Sequence, residues 1–356
     1  MAVPPPRATP FPTTRLAGMM RNRLRASVLA GCWAGGVVMG LACAQPPLDV
    51  QWVHDQILSD GVGLVSYASQ ASSAELMLID PTCINYWQAL RFDDQGIMEY
   101  PPTSYCIGQT LDPIEVVTAP SAGSHWYTFE HLGGAYLGGS PLFGNPLAYA
   151  CEPLVGTTPF HIAALGVDGT VYSGRSEYPL CGSRLYRLDG AQMIWCNCIP
   201  PFSQLELFGD TVLAMSVLGS MTRVDAGTGV VLGAEVVFSG GPGLGLKTAL
   251  AHDTLFWVAQ FGGAQLQVGA YRLGQGASWT TTIPLPNHPV GLFADLHGRL
   301  WTAVNDRLIW LDRSTGSWNN ASYGSEFKDL RGWADDLLLF GASNGASFVM
   351  HVNPTP

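Results

Sequence analysis

The sequence predicts an all-β fold, a single β-propeller of about seven four-stranded blades, with six or eight blades as alternatives. The first observation is a recurring phrase: a turn, then a β-rich run, then a small residue. Anchored on Thr170, Thr211, Thr254, Arg299 and Asp336, it returns at intervals of 41, 43, 45 and 37 residues. The second observation is the absence of helical periodicity over these segments, which are rich in residues that favour strands. A period near 40 with several strands per unit is typical of a propeller.

Each recurring phrase lies between similar neighbours, which predicts the strands of one blade. In the unit at 290–324, the apolar run VGLFAD precedes the phrase HGRLWTAV. DRLIWLD and SWNNASYG follow it. Short β-rich runs separated by Gly, Asp and Asn predict four strands joined by tight turns.

The stretch RLIWLDRSTGSW (307–318) predicts the hairpin between the third and fourth strands of a blade. Asp312 and Ser314-Thr315-Gly316 form its turn, because Asp accepts hydrogen bonds from nearby backbone N–H groups and Gly adopts positive φ. Trp318 follows and has a large apolar face to bury between neighbouring blades.

DGTVYSG…RLYRLDGAQMIW (168–195) and DRLIWLDRSTGSW (306–318) resemble the repeat of the quinoprotein-like (PQQ-like) propeller family. The phrase RVDAGTGVVLG (223–233) keeps Asp225, Thr228 and Gly229 but has Leu232 in place of the Trp, and Trp318 comes one residue early. The resemblance covers about residues 155–356. It implies four-stranded blades, in a family that contains quinone-dependent dehydrogenases and also a non-catalytic scaffold.

The N-terminal half of the body is less regular. Residues 61–69 with 74–80 predict the middle of one blade, and 133–139 with 146–153 predict the middle of another. Residues 92–125 predict an irregular insertion or an eroded blade. The last unit lacks a fourth strand, and we expect DVQWVHD (49–55) to supply it and close the ring, which would remove exposed sheet edges.

The first 44 residues predict a signal segment, followed by the propeller at 45–356. A basic stretch, RNRLR (21–25), precedes an apolar run at 26–44 that ends in Ala42-Cys43-Ala44. This is the order of an export signal, and the true start is then Met19 or Met20. The chain is therefore expected in the periplasm, at the cell surface or secreted, with no transmembrane span in the mature part.

Two alternatives remain for this segment. It could stay attached as a membrane anchor. Cys43 could instead carry a lipid, although Gly40 stands where lipidation signals usually have Leu.

The net charge of the chain and its few lysines argue against some classes of binding partner. The chain has 17 Lys and Arg against 27 Asp and Glu, a net charge of −10, and its lysines are Lys247 and Lys328 alone. Such a chain has no polybasic surface for nucleic acid or anionic lipid. The expected partner is a protein or a small ligand.

Six cysteines follow the signal segment, which in an exported chain predicts up to three disulfides in one of 15 connectivities. Pairing of 184–188 with 193–197 would place Cys181 near Cys198. The remaining bonds would then join Cys151 to Cys196 and Cys83 to Cys106. The alternative, a metal site at Cys196-Asn197-Cys198, lacks the usual zinc spacing and a second ligand pair.

We predict no catalytic, cofactor-binding or metal site from motifs. SGGPGLGLKT (239–248) is similar to a phosphate loop, but Leu246 separates Gly245 from Lys247, so a loop between blades is favoured. Acids in the turns between first and second strands favour turn formation over calcium binding.

Loops at the mouth of the propeller are the predicted contact sites for a ligand or partner. They carry Arg175, Gln204, Lys247, Gln260, Asn287, His288, Asn305, Lys328 and Asp329. The predicted function is an exported, non-catalytic interaction or ligand-binding scaffold. The alternative is a propeller enzyme, either a quinone-dependent dehydrogenase or a calcium-dependent lactonase-like hydrolase.

Overall fold

The structure of the chain is a computed structural model. It describes the strands between residues 48 and 165 and, with short gaps, residues 170–354; side chains are described chiefly from residue 183 onward. Contacts divide the chain into Met1–Ala44 and Gln45–Pro356, and every described residue belongs to the second unit. The predicted signal segment and the cysteines at 83, 151 and 181 lie outside the described residues.

The described residues form an all-β unit, as predicted. The first strand, β1 (Leu48–Ile57), belongs to the last sheet. Sheet 1 contains β2 (Asp60–Ser66), β3 (Ser73–Asp80), β4 (Tyr86–Asp93) and β5 (Met98–Glu99), with β6 (Tyr105–Cys106) paired to β4. Sheet 2 contains β7 (Asp112–Thr118), β8 (His125–His131), β9 (Gly134–Gly139) and β10 (Leu142–Pro146).

Sheets 3 to 5 follow the predicted repeat. Sheet 3 contains β11 (Phe160–Leu165), β12 (Val171–Glu177), β13 (Gly182–Asp189) and β14 (Gln192–Ile199). Sheet 4 contains β15 (Gln204–Phe208), β16 (Thr211–Met215), β17 (Ser220–Asp225) and β18 (Val231–Val236). Sheet 5 contains β19 (Leu244–Ala251), β20 (Thr254–Phe261), β21 (Gln265–Arg272) and β22 (Gly276–Ile283).

Sheets 6 and 7 complete the unit. Sheet 6 contains β23 (Gly291–Ala294), β24 (Leu300–Val304), β25 (Arg307–Asp312) and β26 (Ser317–Ser322). Sheet 7 contains β27 (Glu326–Trp333), β28 (Asp336–Ser343), β29 (Ala346–Pro354) and, on its outer side, β1.

The first strands of neighbouring sheets contact one another in a closed series. β2 contacts β7, and the series continues through β11, β15, β19, β23 and β27, which in turn contacts β2. These seven strands therefore surround a common axis, and the other strands of each sheet lie progressively further from it. This arrangement is that of a propeller with a central channel.

The second strands show why these sequences pack in this way. On β20, Leu255 and Trp257 pack in the apolar cluster shared with sheet 4, whereas Phe256 and Val258 pack in the cluster shared with sheet 6. Successive side chains of a strand point to opposite faces, so a continuous apolar run is buried by a neighbouring sheet on each face.

The ring is closed by the first and last strands of the unit. β1 pairs antiparallel with β29, with Leu48 opposite Pro354 and Val53 opposite Met350. Residues 49–55 thus supply the outer strand of sheet 7, as the sequence predicted. The N-terminal strand would leave the edge of β29 unpaired if it were absent.

The N-terminal half corrects two strand assignments. Of the predicted ranges 61–69 and 74–80, residues 61–66 fall on β2 and 74–80 on β3, the first and second strands of sheet 1, rather than the middle of a blade; residues 67–69 lie outside the described residues. Residues 133–139 fall on the third strand of sheet 2, and its fourth strand begins at Leu142, before the predicted 146–153. The range 92–125, predicted as irregular, contains β5, β6 and β7, and β7 begins sheet 2.

The hairpin at 307–318 joins β25 to β26, as predicted. Gly316 has φ of 69°, and its N–H donates to the carbonyl of Asp312 at 2.7 Å. Trp318 is half-buried against the cluster between sheets 5 and 6. The related turn in sheet 4 is held by Asp225, whose Oδ1 accepts from the backbone N–H of Thr228 at 2.7 Å.

Strand register explains the variable position of the Trp. In sheets 3 and 5 one extra residue bulges out before Trp195 and Trp279, which lie opposite Arg187 and Ala270. Sheet 6 has no bulge, so Trp318 lies one position earlier, opposite Leu311. In sheet 4 the equivalent position opposite Arg223 is occupied by Gly233, and Leu232 is the bulged residue. The assignment of Leu232 to the Trp position was therefore wrong by one residue.

Candidate functional site

Three of the predicted rim residues lie together at the mouth, the end of the ring where the first strands begin. Asn287 follows β22, and its Nδ2 donates to Oδ1 of Asn305 in the turn between β24 and β25, at 2.7 Å. The neighbouring His288 packs over the backbone of Gly245 at the start of β19. Asn287 and Asn305 both have positive φ, which Asn tolerates better than most residues. This hydrogen bond ties sheets 5 and 6 together at the mouth.

The remaining predicted rim residues differ in exposure. Lys328 is exposed and forms an ion pair with Glu326 at 2.7 Å. Gln204 and Lys247 are half-buried, at or near the starts of β15 and β19. Two further residues are buried, Gln260 on β20 and Asp329 on β27. Arg175 lies on β12, and its side chain is outside the described set.

Glu206, Thr248 and Arg331 lie on three of the first strands that surround the axis of the ring, and we call these three residues the channel group. Glu206 on β15 accepts a hydrogen bond through Oε1 from the hydroxyl of Thr248 on the neighbouring β19, at 2.7 Å. Arg331 on β27 also acts on the Glu206 carboxylate by charge attraction. Since two first strands, β19 and β23, separate β15 from β27 in the ring, the attraction between Glu206 and Arg331 acts between strands that are not neighbours.

Arg331 is held in position by its own strand. Its Nε donates to Oδ2 of Asp329 at 3.2 Å, and Oδ1 of the same carboxylate accepts from the backbone N–H of Leu330. Asp329 is thus a support for the channel arginine rather than an exposed contact residue.

Burial raises the pKa of the Glu206 carboxyl to about 7, against the opposing effects of the Thr248 hydrogen bond and the Arg331 charge. The residue as a whole is nonetheless half-buried rather than buried. Both observations fit a carboxyl group that is surrounded by protein while part of the residue stays accessible to solvent. A carboxyl group with this pKa exchanges its proton near neutral pH, so it can donate or accept a hydrogen bond with a molecule in the channel.

The mouth also carries large exposed apolar side chains. Leu218 lies in the turn between β16 and β17, Val236 ends β18, and Leu244 begins β19; they are 66%, 70% and 52% exposed. We call these three residues the mouth patch. The carbonyl of Val217 accepts from the N–H of Gly243 at 2.7 Å, and that of Gly219 accepts from Val237 at 2.8 Å. These bonds hold the segments that carry the patch against one another.

Cysteines lie on the outer strand of sheet 3. Cys196 and Cys198 of β14 lie opposite Tyr186 and Arg184 of β13, and both are disulfide-bonded. The observed ladder matches the predicted pairing of 184–188 with 193–197, apart from the bulge at Ile194. The connectivity stays a prediction, because the partner cysteines proposed at 151 and 181 lie outside the described residues.

No group of three or more His, Cys, Asp and Glu side chains suited to a metal ion occurs among the side chains that the structure describes. The same part of the chain contains no helix long and apolar enough to cross a membrane.

Sequence reasoning missed both the channel group and the mouth patch. Glu206 lies in an ordinary alternating strand, QLELF, and nothing near it in the sequence marks it as a channel residue. A signal for the patch existed: Leu218 and Leu244 adjoin Gly residues in predicted loops, where a large apolar side chain lacks a local partner for burial.

Comparison with solved structures identifies the fold. The crystal structure of the WD40 β-propeller domain of Doa1 is similar to this chain, with a TM-score of 0.59 and 11% identity over 85% of this chain and 97% of that one. At this identity the similarity shows a β-propeller fold and nothing about function. No protein-family model matches the chain, and no curated protein matches it.

Proposed function

We propose that this protein is a binding scaffold: a β-propeller that holds a protein partner at its mouth. The carrying observation is the mouth patch, in which Leu218, Val236 and Leu244 each expose more than half of their surface. Large apolar side chains exposed on segments that are hydrogen-bonded to one another are typical of protein–protein contact sites. The ring holds them on rigid strands and short turns, so little conformational entropy is lost when a partner binds.

The closed series of first strands supports a ring of seven blades. For the repeat itself, we retain the resemblance to the quinoprotein-like family as the best description of the phrases at 168–195 and 306–318.

We also propose that the chain is exported, with cleavage after Ala44 or lipid attachment at Cys43. The disulfide-bonded Cys196 and Cys198 support this, because disulfides persist in oxidising compartments. Intact-mass measurement of the mature protein would distinguish cleavage, lipidation and a retained segment. A mature protein that still begins at or before Met20 would contradict export by cleavage.

The scaffold proposal is tested with paired variants. Leu218→Asp with Leu244→Asp places charge in the mouth patch. Val231→Asp with Leu232→Asp does the same at similarly exposed residues near the opposite end of β18. We expect chemical cross-linking in cell extract to yield a discrete partner with the wild type and the control pair, and no partner with the mouth pair. Equal cross-linking by both pairs, or no partner with the wild type, would overturn the proposal.

The channel carboxyl favours an enzyme as a second candidate, since a perturbed pKa in a cleft is a common property of catalytic acids. The channel as described does not fit calcium, because the single Glu206 carboxylate is opposed by the Arg331 guanidinium. Thermal-shift titration with pyrroloquinoline quinone tests a quinone enzyme. A saturable shift that is lost in Glu206→Gln would favour this candidate over the scaffold.

A further inference from the structure

A groove of about 460 Å³ lies between sheets 5 and 6, on the face opposite the mouth. The turn from β19 to β20 forms one wall, with His252 and Asp253. The turn from β23 to β24 forms the other, with Asp295 and His297. Its size is that of a small-molecule site. It lies apart from both the mouth patch and the Glu206 channel.

The second wall is rigid, because the carboxylate of Asp295 accepts three hydrogen bonds from residues of its own sheet. Oδ1 of Asp295 accepts from the backbone N–H of Arg299 at 2.8 Å. Oδ2 accepts from Arg299 Nε at 2.7 Å and from Trp301 Nε1 at 2.9 Å. Asp295 is buried. Because its side chain is 0% exposed, Asp295 shapes the groove rather than presenting an oxygen to a ligand.

The first wall presents a polar pair to solvent. Arg272 Nε donates to Oδ2 of Asp253 at 2.7 Å, and the two side chains are 50% and 43% exposed. Hydrogen bonds from Arg272 and Thr254 lower the pKa of Asp253, which keeps it ionised. The pair thus offers an acceptor-only carboxylate beside a donor-only guanidinium.

An aromatic side chain completes the groove. Trp279 on β22 lines it and is half-buried, with Phe256 behind at a centroid distance of 6.4 Å. Its ring position is therefore set by packing, while part of its surface borders the groove. Such a ring offers an apolar contact area next to the polar pair.

The charges of the groove balance although the chain carries −10 overall, because Asp253 pairs with Arg272 and Asp295 with Arg299. A charged ligand beside the Asp253–Arg272 pair would be repelled by one member of the pair while the other attracts it. A neutral polyhydroxyl ring would not: one hydroxyl donates to Asp253, its neighbour accepts from Arg272, and the C–H face of the ring lies on Trp279. From this geometry we infer that the groove between sheets 5 and 6 is a binding site for a neutral saccharide.

Saturation-transfer NMR with four probes tests the inference: methyl α-D-glucopyranoside, methyl β-D-galactopyranoside, N-acetyl-D-glucosamine and D-mannose. We expect saturable binding of at least one probe. Arg272→Gln removes the donor, Trp279→Ala removes the apolar contact, and each should weaken that binding by about tenfold or more.

The matched control is Trp318→Ala. Trp318 lies on the outer strand of sheet 6 and packs against the same apolar cluster as Trp279, but it does not line the groove. Binding within about twofold of wild type in this variant supports the site. Arg272→Gln changes a half-exposed side chain, so it tests the site even if Trp279→Ala fails to fold.

The outcomes are distinct. Failure of all four probes to bind would overturn the inference. So would binding that survives both groove variants, or saturable binding of sodium acetate or sodium phosphate in place of the sugars. None of these results bears on the mouth patch.

Discussion

Replacing Glu206 with Gln should make the protein more stable at alkaline pH and leave it nearly unchanged at acid pH. Burial raises the pKa of this carboxyl from its ordinary value of 4.5 to about 7. Between these values the native state holds a proton that the unfolded chain has released. The stability contributed by the protonated group is therefore present below pH 4.5 and is lost as the pH rises to 7.

The size of the effect follows from the shift. At about 1.4 kcal/mol per pH unit, the wild type loses about 2.5 kcal/mol between pH 5 and pH 8. Because Glu206 is half-buried and part of it stays accessible to solvent, screening by water reduces this loss to about 1–2 kcal/mol. Gln is neutral throughout and keeps an oxygen that accepts from Thr248. The variant should thus exceed the wild type by about 1–2 kcal/mol at pH 8.

Urea unfolding of both proteins at pH 5 and pH 8, followed by tryptophan fluorescence, measures this difference. Glu235→Gln is the control, because the stability contributed by Glu235 depends on pH in the opposite direction. Hydrogen bonds from Tyr271 and Arg223 lower the pKa of Glu235, so its contribution is present above its ordinary pKa and is lost on acidification. If Glu206→Gln is destabilising at pH 8, or if its effect is the same at both pH values, the burial of an ionisable channel carboxyl is refuted.

Three further changes test the packing of the ring. Trp301→Ala should lower the free energy of unfolding, measured with urea, by about 3–5 kcal/mol. Trp301 is 1% exposed, stacks on Trp310 at a centroid distance of 5.3 Å and donates a hydrogen bond to Asp295. A loss smaller than that caused by Trp279→Ala, which removes a half-buried side chain, would contradict this. Gly291→Ala should lower the free energy of unfolding by about 1–3 kcal/mol, because the added Cβ would lie 2.4 Å from the carbonyl oxygen of Leu330 in the next sheet. Unchanged stability would show that the two sheets are further apart. Val53→Pro should lower the melting temperature and speed proteolysis of residues 45–356, because Val53 on β1 pairs with Met350 on β29 where the ring closes. Proteolysis confined to β1, with an unchanged melting temperature, would mean that the ring does not depend on β1.

The strands of sheets 3 to 7 could be predicted because each is a local pattern. A turn residue such as Asp225 or Gly316 acts within its own hairpin, and an apolar run such as TLFWVAQF on β20 needs only a covering sheet on each side. Sheets 1 and 2 were harder because the recurring phrase is less regular in that half of the sequence. In each of these two sheets, the predicted pair of strands was assigned to positions that differ by one strand from those in the structure.

The Trp position shows where local patterns stop being sufficient. A bulge moves the Trp by one residue relative to the strand opposite, and the sequence of a hairpin does not reveal whether its ladder contains a bulge. Trp279 and Trp318 therefore look misaligned in the sequence although both pack against the cluster between sheets 5 and 6.

The channel group could not be predicted because Glu206 and Arg331 lie on sheets that are not neighbours and that are brought together only by the ring. Glu206, Thr248 and Arg331 lie on first strands of three different sheets, and the charge of Arg331 reaches Glu206 from a strand that is not its neighbour. Only correct closure by β1 and β29 fixes which first strands lie opposite each other. Opening the ring should therefore change the pKa of Glu206 even though no strand that carries the channel group is altered. In Val53→Pro, the pH dependence of stability attributed to Glu206 should weaken along with the melting temperature. An unchanged pH dependence in a protein with an opened ring would show that the Glu206 pKa is set by β15 and β19 alone.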